Sequence, residues 1–271
     1  MSAKAHDAMP ISERELGHLT RDMDDMHHAL MPTMDERAAA WAERNRGTPA
    51  GASGTAGWVT SRRHFLVGSG AAVLGGLVLA ACGGTTSKAP ASSPTTLAGG
   101  GDVKGDLAVA ALAAALENLA VSTYQAGIDA ATAGTLAPVP PAVATFVSTA
   151  QQHHRDHAAA WNSVLTGAGR EAVTGVDLTL KADVDGAFAN VKDVGGLARL
   201  ALSLENTAAA TYQNGISILG ETSAIQVAAS IQPVELQHAA ILNFVLGNAP
   251  VPDAFTQTTL ARTPDDQIAP A

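Results

Sequence analysis

One stretch of this chain occurs twice. Leu116-Glu117-Asn118-Leu119-Ala120-Val121-Ser122-Thr123-Tyr124-Gln125-Ala126-Gly127-Ile128 returns as Leu204-Glu205-Asn206-Thr207-Ala208-Ala209-Ala210-Thr211-Tyr212-Gln213-Asn214-Gly215-Ile216. A second matching pair follows each copy: His157-Ala158-Ala159 with Asn162, Val164 and Leu165, then His238-Ala239-Ala240 with Asn243, Val245 and Leu246. Such self-similarity marks a duplicated supersecondary unit. Apolar residues fall three and four apart in every copy, with no alternating strand pattern, so the spacing predicts helices over 105–130, 141–166, 194–219 and 221–246. Gly134 to Pro141 reads as a Pro-rich turn, while Gly167 and Gly247 are expected to end the second and fourth helices as residues tolerating positive φ. Between Gly167 and Val194 there is room for one short helix around Val184 to Val191. The expected fold is all-α: a four-helix bundle of two duplicated hairpins joined by a long crossover.

The charges inside this pattern are few and oddly placed. Glu117 is the only charged residue between Asp106 and Asp129, and its helical neighbours are Ala113, Val121, Tyr124 and Ile128. Glu205 repeats the situation with Ala201, Ala209, Tyr212 and Ile216. Both carboxylates therefore face the core. An isolated buried carboxylate costs many kcal/mol or takes up a proton, so two of them related by a repeat call for a shared cation or for buried His partners. In the fourth helix Glu235 and His238 stand one turn apart on a face with Ile231, Leu242 and Val245, and both can reach one ion. The second helix reads His153-His154-Arg155-Asp156-His157, with His154 and His157 on a face with Val147, Ala150, Trp161 and Val164. Tyr124 and Tyr212 are expected to bond to the inner carboxylates through their hydroxyls, and Trp161 to pack. Pro233, just before Glu235, is expected to kink its helix.

In this order of residues the chain resembles the ferritin-like superfamily, whose dinuclear members use a Glu from each of two helices and a Glu-x-x-His pair from each of the other two. The resemblance covers about Asp106 to Gly247. Position by position it implies Glu117 and Glu205 as the single carboxylates, Glu235 and His238 as one complete pair, and His157 as the second His. His154 stands where the other pair would have Glu. Three carboxylates with three imidazoles carry one less negative charge than four with two, which leaves two divalent ions less fully neutralised. His153 and Asp156 are alternatives to His154 in that role. The implied cofactor is a dinuclear centre of iron or manganese type, used to oxidise Fe(II) or to reduce peroxide or dioxygen. The alternative is a metal-poor ferritin-like module for envelope binding or stress protection.

A different signal precedes the bundle. Ser61-Arg62-Arg63-His64-Phe65-Leu66 opens an apolar run that ends in Leu79-Ala80-Ala81-Cys82, the order of charged, apolar and small-residue regions in a secretory signal. The Arg62-Arg63 pair resembles a twin-arginine export signal, and the last four residues resemble a bacterial lipobox, which implies acylation of Cys82 and cleavage before it. The apolar run of about 17 residues would be only ~25 Å long as a helix against a hydrocarbon core of ~30 Å, which suits a cleaved signal better than a span. The expected organisation is an N-terminal region with signal at 1–81, a flexible Gly/Ser/Thr/Pro tether at 82–104, the bundle at 105–247 and an extended tail at 248–271. Residues 1–60 hold one amphipathic helix between about Ile11 and Arg44, in which His27, His28, Asp24 and Asp25 offer a metal site as the lesser reading and a solvated face as the preferred one.

The single Cys would be consumed by lipid, so no disulfide supports the fold. From Cys82 onward eight Lys/Arg face sixteen Asp/Glu, and this acidic balance argues against a nucleic-acid partner. The expected partners are the membrane, on its outer side, and metal ions, with a monomer or homodimer in place of a cage.

Overall fold

A computed structural model of the chain describes residues 11–46, 95–97, 101–103, 105–136 and 138–264. Arg62, Arg63 and Cys82 lie outside the described residues. The elements are α1 (Glu13–Asn45), β1 (Thr95–Leu97), β2 (Gly101–Val103), α2 (Asp106–Thr132), α3 (Pro141–Gly167), α4 (Leu178–Phe188), α5 (Val194–Ile218) and α6 (Thr222–Val245). α2 pairs with α3 and α5 with α6 as the two hairpins, and α2 meets α5 between them. The architecture is an all-α bundle.

Local chemistry explains how the hairpins are held in register. The Asp106 carboxylate, in the first turn of α2, accepts from the backbone N–H groups of Gly220 at 3.1 Å and Glu221 at 2.7 Å, tying that end to the α5–α6 turn. Asn118 donates to the carbonyls of Val173 and Gly175, and Asn162 both donates to Val173 O and accepts from Val173 N, so the crossover is stitched to α2 and α3. α2 is Ala-rich and apolar on most sides because neighbours cover it; Ala110, Ala111, Leu112 and Ala114 are all buried.

Three local expectations are revised. The short crossover helix begins at Leu178, six residues before Val184, because Asp177 caps it by accepting from the N–H groups of Thr179 and Leu180. Gly167 does not end its helix through a positive φ; that conformation belongs to Gly169, at φ 72°, and to Gly247, at φ 79°. Gly167 is instead a close approach. A Cβ there would lie 2.1 Å from the Cβ of Ala42 in α1. Within the stretch expected to be a plain tether, β1 and β2 pair antiparallel, Thr95 opposite Val103. Pro233 lies inside α6, which continues through it.

The largest revision concerns α1. Its helix was legible, but not its place: it lies along α3 and α6, bridging the two hairpins. Leu16, Thr20, Met23, His27, Met34, Ala38 and Trp41 are buried, a seam of three-, four- and seven-residue steps. Trp41 meets Trp161 edge to face at 6.2 Å, and Arg44 pairs with Glu221 at 2.8 Å. His28 is exposed as expected of a solvated face, whereas His27 is buried, so that reading fails for His27. The tail after Asn248 returns along the bundle, where Arg262 N donates to Thr211 Oγ1 and its guanidinium pairs with Asp177.

Candidate metal centre

Each helix of the four-helix bundle delivers side chains to one interior region. Glu117 comes from α2, His154 and His157 from α3, Glu205 from α5, and Glu235 with His238 from α6. None is more than 2% exposed. His154 Nδ1 donates to Glu117 Oε2 at 2.7 Å, and His154 Nε2 lies 3.3 Å from Glu205 Oε1. His238 Nδ1 donates to Glu205 Oε2 at 3.2 Å. Tyr124 and Tyr212 bond to the inner carboxylates as expected, with one feature the repeat did not disclose: each reaches the other repeat's Glu. Tyr124 donates to Glu205 Oε1 at 2.5 Å and Tyr212 donates to Glu117 Oε1. Trp161 does more than pack, since its Nε1–H donates to the Tyr212 hydroxyl at 2.8 Å.

The six residues fall into two overlapping groups. Ligand-capable atoms of Glu117, His154, His157 and Glu235 all lie within 4.8 Å of one another, as do those of His154, Glu205, Glu235 and His238. His154 and Glu235 are common to both. Glu235 is also exceptional in its bonding. Its Oε1 sits 2.9 Å from His157 Nδ1, but off the N–H direction, so that neither Glu235 oxygen and neither His157 nitrogen makes a hydrogen bond among the described residues. Buried polar groups are almost always satisfied, and a carboxylate and an imidazole nitrogen left unbonded 2.9 Å apart are what residues suited to share an ion would present. Glu117, by contrast, is already held by Tyr212 and His154, and Glu205 by Tyr124, His154 and His238.

The sequence matches the ferritin-like domain family over residues 105–248. The chain belongs to that family. No curated protein and no solved structure matches the chain. Within this ferritin-like domain the structure brings together the five residues that the family pattern pointed to, Glu117, His157, Glu205, Glu235 and His238, and also His154, which the repeat alignment set where the pattern has Glu. His153 and Asp156, the alternatives, point elsewhere: His153 bonds to His238 and to Asp24 of α1, and Asp156 pairs with His27. Sequence reasoning missed this outer layer of Asp24, His27 and His153.

Proton occupancy follows from burial opposed by charge. Burial disfavours the His157 imidazolium, yet Glu117 and Glu235 outweigh it and lift the group to about 9. His154 and His238 are raised against burial in the same way, mainly by Glu205. Burial would raise Glu117, but His157 and His154 bring it down to about 2, and Glu205 falls well below its usual range beside His154 and His238. His153, buried among other imidazoles, is pushed far down and is neutral. The metal-free domain is thus a proton-compensated cluster of carboxylates and imidazoliums.

That balance has a pH signature. His157 is raised above its ordinary 6.5, so its contribution is complete below pH 6.5 and is lost as pH rises through about 9. Glu117 is depressed below its ordinary 4.5, so its contribution is complete above pH 4.5 and is lost as pH falls towards 2. Urea unfolding of the metal-free protein should therefore show greatest stability between about pH 4.5 and 6.5 and an alkaline loss of up to about 3 kcal/mol by pH 9. Saturating divalent metal should remove the alkaline limb, because ligation replaces the protons.

Proposed function

We propose that this ferritin-like domain holds a dinuclear centre of iron or manganese type and works as an envelope redox protein. It would oxidise Fe(II), or reduce peroxide or dioxygen. The observation that carries the reading is the pair of ligand groups sharing His154 and Glu235, with the side chains of Glu235 and His157 making no hydrogen bond among the described residues. Glu117, His157 and Glu235 would hold one position and Glu205, Glu235 and His238 the other, while His154, with a single lone pair as neutral imidazole, would serve one of the two. Carboxylate with imidazole suits iron and manganese, and a bound pair of such ions would supply electrons and open coordination positions for an oxidant. The chain's own residues supply the rest. Tyr124 and Tyr212 fix the rotamers of Glu205 and Glu117, the helices exclude water, and the three imidazoles release protons as metal enters.

The proposal extends to location. Export of a folded chain through the Arg62-Arg63 signal, with Cys82 acylated at the outer membrane face, would let the centre fill in the cytosol before translocation. The test is metal analysis of protein purified from its native membrane, together with its near-ultraviolet absorption. Two equivalents of iron or manganese are expected, with charge-transfer absorption if the metal is diferric. Protein that carries no metal, and takes up none of either ion, overturns the reading. It would leave the metal-poor module, which one feature favours: Glu117 and Glu205 are satisfied by Tyr and His without any ion.

A further inference from the structure

Beyond the six inner residues, a hydrogen-bonded line runs from the centre to the surface. His238 turns Nδ1 towards Glu205 and Glu235, at 3.2 Å and 3.6 Å, and Nε2 towards His153 Nδ1 at 3.1 Å. His153 Nε2 meets Asp24 Oδ1 at 3.0 Å. The Asp24 side chain is 40% exposed, while His153 and His238 are fully buried. His27 completes the arrangement from the same helix, stacking on the His153 ring at 3.9 Å while its Nε2 donates to Asp156 at 3.3 Å. α1 therefore holds His153 by its edge and by its face.

Neutral imidazole has one donor and one acceptor, and which nitrogen carries the proton is set by what the other meets. Asp24 can only accept, so it fixes the proton of His153 on Nε2. Nδ1 of His153 is then bare and must accept, which requires His238 to donate from Nε2 in addition to the Nδ1–H it gives Glu205, so that His238 is doubly protonated until a metal takes the place of the Nδ1 proton. That leaves His238 Nδ1 as the atom facing the carboxylates. The alternative His153 tautomer would set N–H against N–H at 3.1 Å and would push the His238 ring from its place.

We propose that Asp24 and His153 are positioning residues of the centre, and that the N-terminal helix, outside the matched domain, orients His238 through them. The inference rests on the metal reading for its function, but its geometry can be tested without metal. In the full chain with ¹⁵N-labelled histidine, long-range ¹⁵N–¹H spectra of the metal-free protein should show His153 protonated on Nε2 alone. Asp24→Ala should give mixed or inverted tautomers. Asp24→Asn, whose amide oxygen still accepts, should restore Nε2–H, and Asp25→Ala, at a neighbouring exposed carboxylate, should change nothing. Because the Asp24 side chain is at the surface, these variants should keep the fold, which circular dichroism checks.

Co(II) then serves as the metal probe. Loss of an outer-layer partner of a ligating histidine commonly weakens binding about 10–100-fold, and that is expected for Asp24→Ala, with Asp24→Asn within a few-fold of the parent. The visible Co(II) spectrum should shift in Asp24→Ala alone. An Asp24→Ala protein with the parent His153 tautomer overturns the inference, as does one with the parent Co(II) affinity and spectrum. A parent chain that takes no Co(II) overturns the metal reading instead, and the tautomer spectra still decide the role of Asp24.

Discussion

Glu235→Gln should lose both metal ions together. Glu235 is common to the two ligand groups, and its oxygens are without hydrogen bonds among the described residues, so the amide that replaces it takes a ligand from each position and offers no proton partner in exchange. Loss of an outer partner already weakens metal binding ~10–100-fold, and removing one member of a buried charge pair costs about 3–5 kcal/mol. An inner ligand shared by two ions should therefore cost at least about 100-fold in affinity, with stoichiometry falling from two to none. The same substitution has a metal-free signature. His157 is lifted to about 9 by Glu117 and Glu235 acting together, so its pKa should fall when one of them is neutral. Calorimetry with Mn(II) and ¹⁵N titration of His157 check the two outcomes on one sample. Two ions still bound at parent affinity would mean that Glu235 is not shared, and the site would have to be redrawn around Glu117 and Glu205 separately.

Much of that site was legible because the duplication did the work of a second sequence. Glu117 and Glu205 each stand alone among apolar neighbours, and the repeat says that their isolation is no accident. The register His157 with His238 then places His154 opposite Glu235, and the structure puts both in the same cluster. What the repeat could not disclose is anything that crosses between its copies. Tyr124 lies seven residues after Glu117, two turns along the same helix, but the helices cross so that its hydroxyl reaches Glu205 instead. Gly167 looked like a helix terminator because glycine near a helix end usually is one; its actual constraint, Ala42 packed against it, comes from a helix over a hundred residues earlier. α1 itself left a trace, since Leu16, Thr20, Met23, His27, Met34, Ala38 and Trp41 lie on one seam and His28 does not. That trace was faint because Thr20 and His27 interrupt the seam with polar atoms. A buried His next to another buried His is a long-range fact, and periodicity carries none of it.

Trp41→Ala should release α1 and be felt at the centre. Trp41 is 1% exposed and packs on Trp161, which donates to Tyr212, which in turn donates to Glu117. Truncating a buried Trp costs about 3–5 kcal/mol, more than a docked surface helix usually has to spare. The expected result is local: amide exchange across 13–45 rises strongly, while 106–245 keeps its protection, and the Asp24–His153 contact goes with it. Undiminished protection in α1 would show that the rest of its seam holds it without Trp41. The comparison gains weight from the proposed cut before Cys82, which removes α1 outright. Such a chain should expose Trp161 and His153, bind Co(II) about as weakly as Asp24→Ala, and recover when a peptide spanning 11–46 is added. α1 would then be part of the centre while the protein folds and fills, and gone once it is anchored. A cut chain that binds metal as tightly as the full one, with His153 still protonated on Nε2, would confine α1 to covering the bundle.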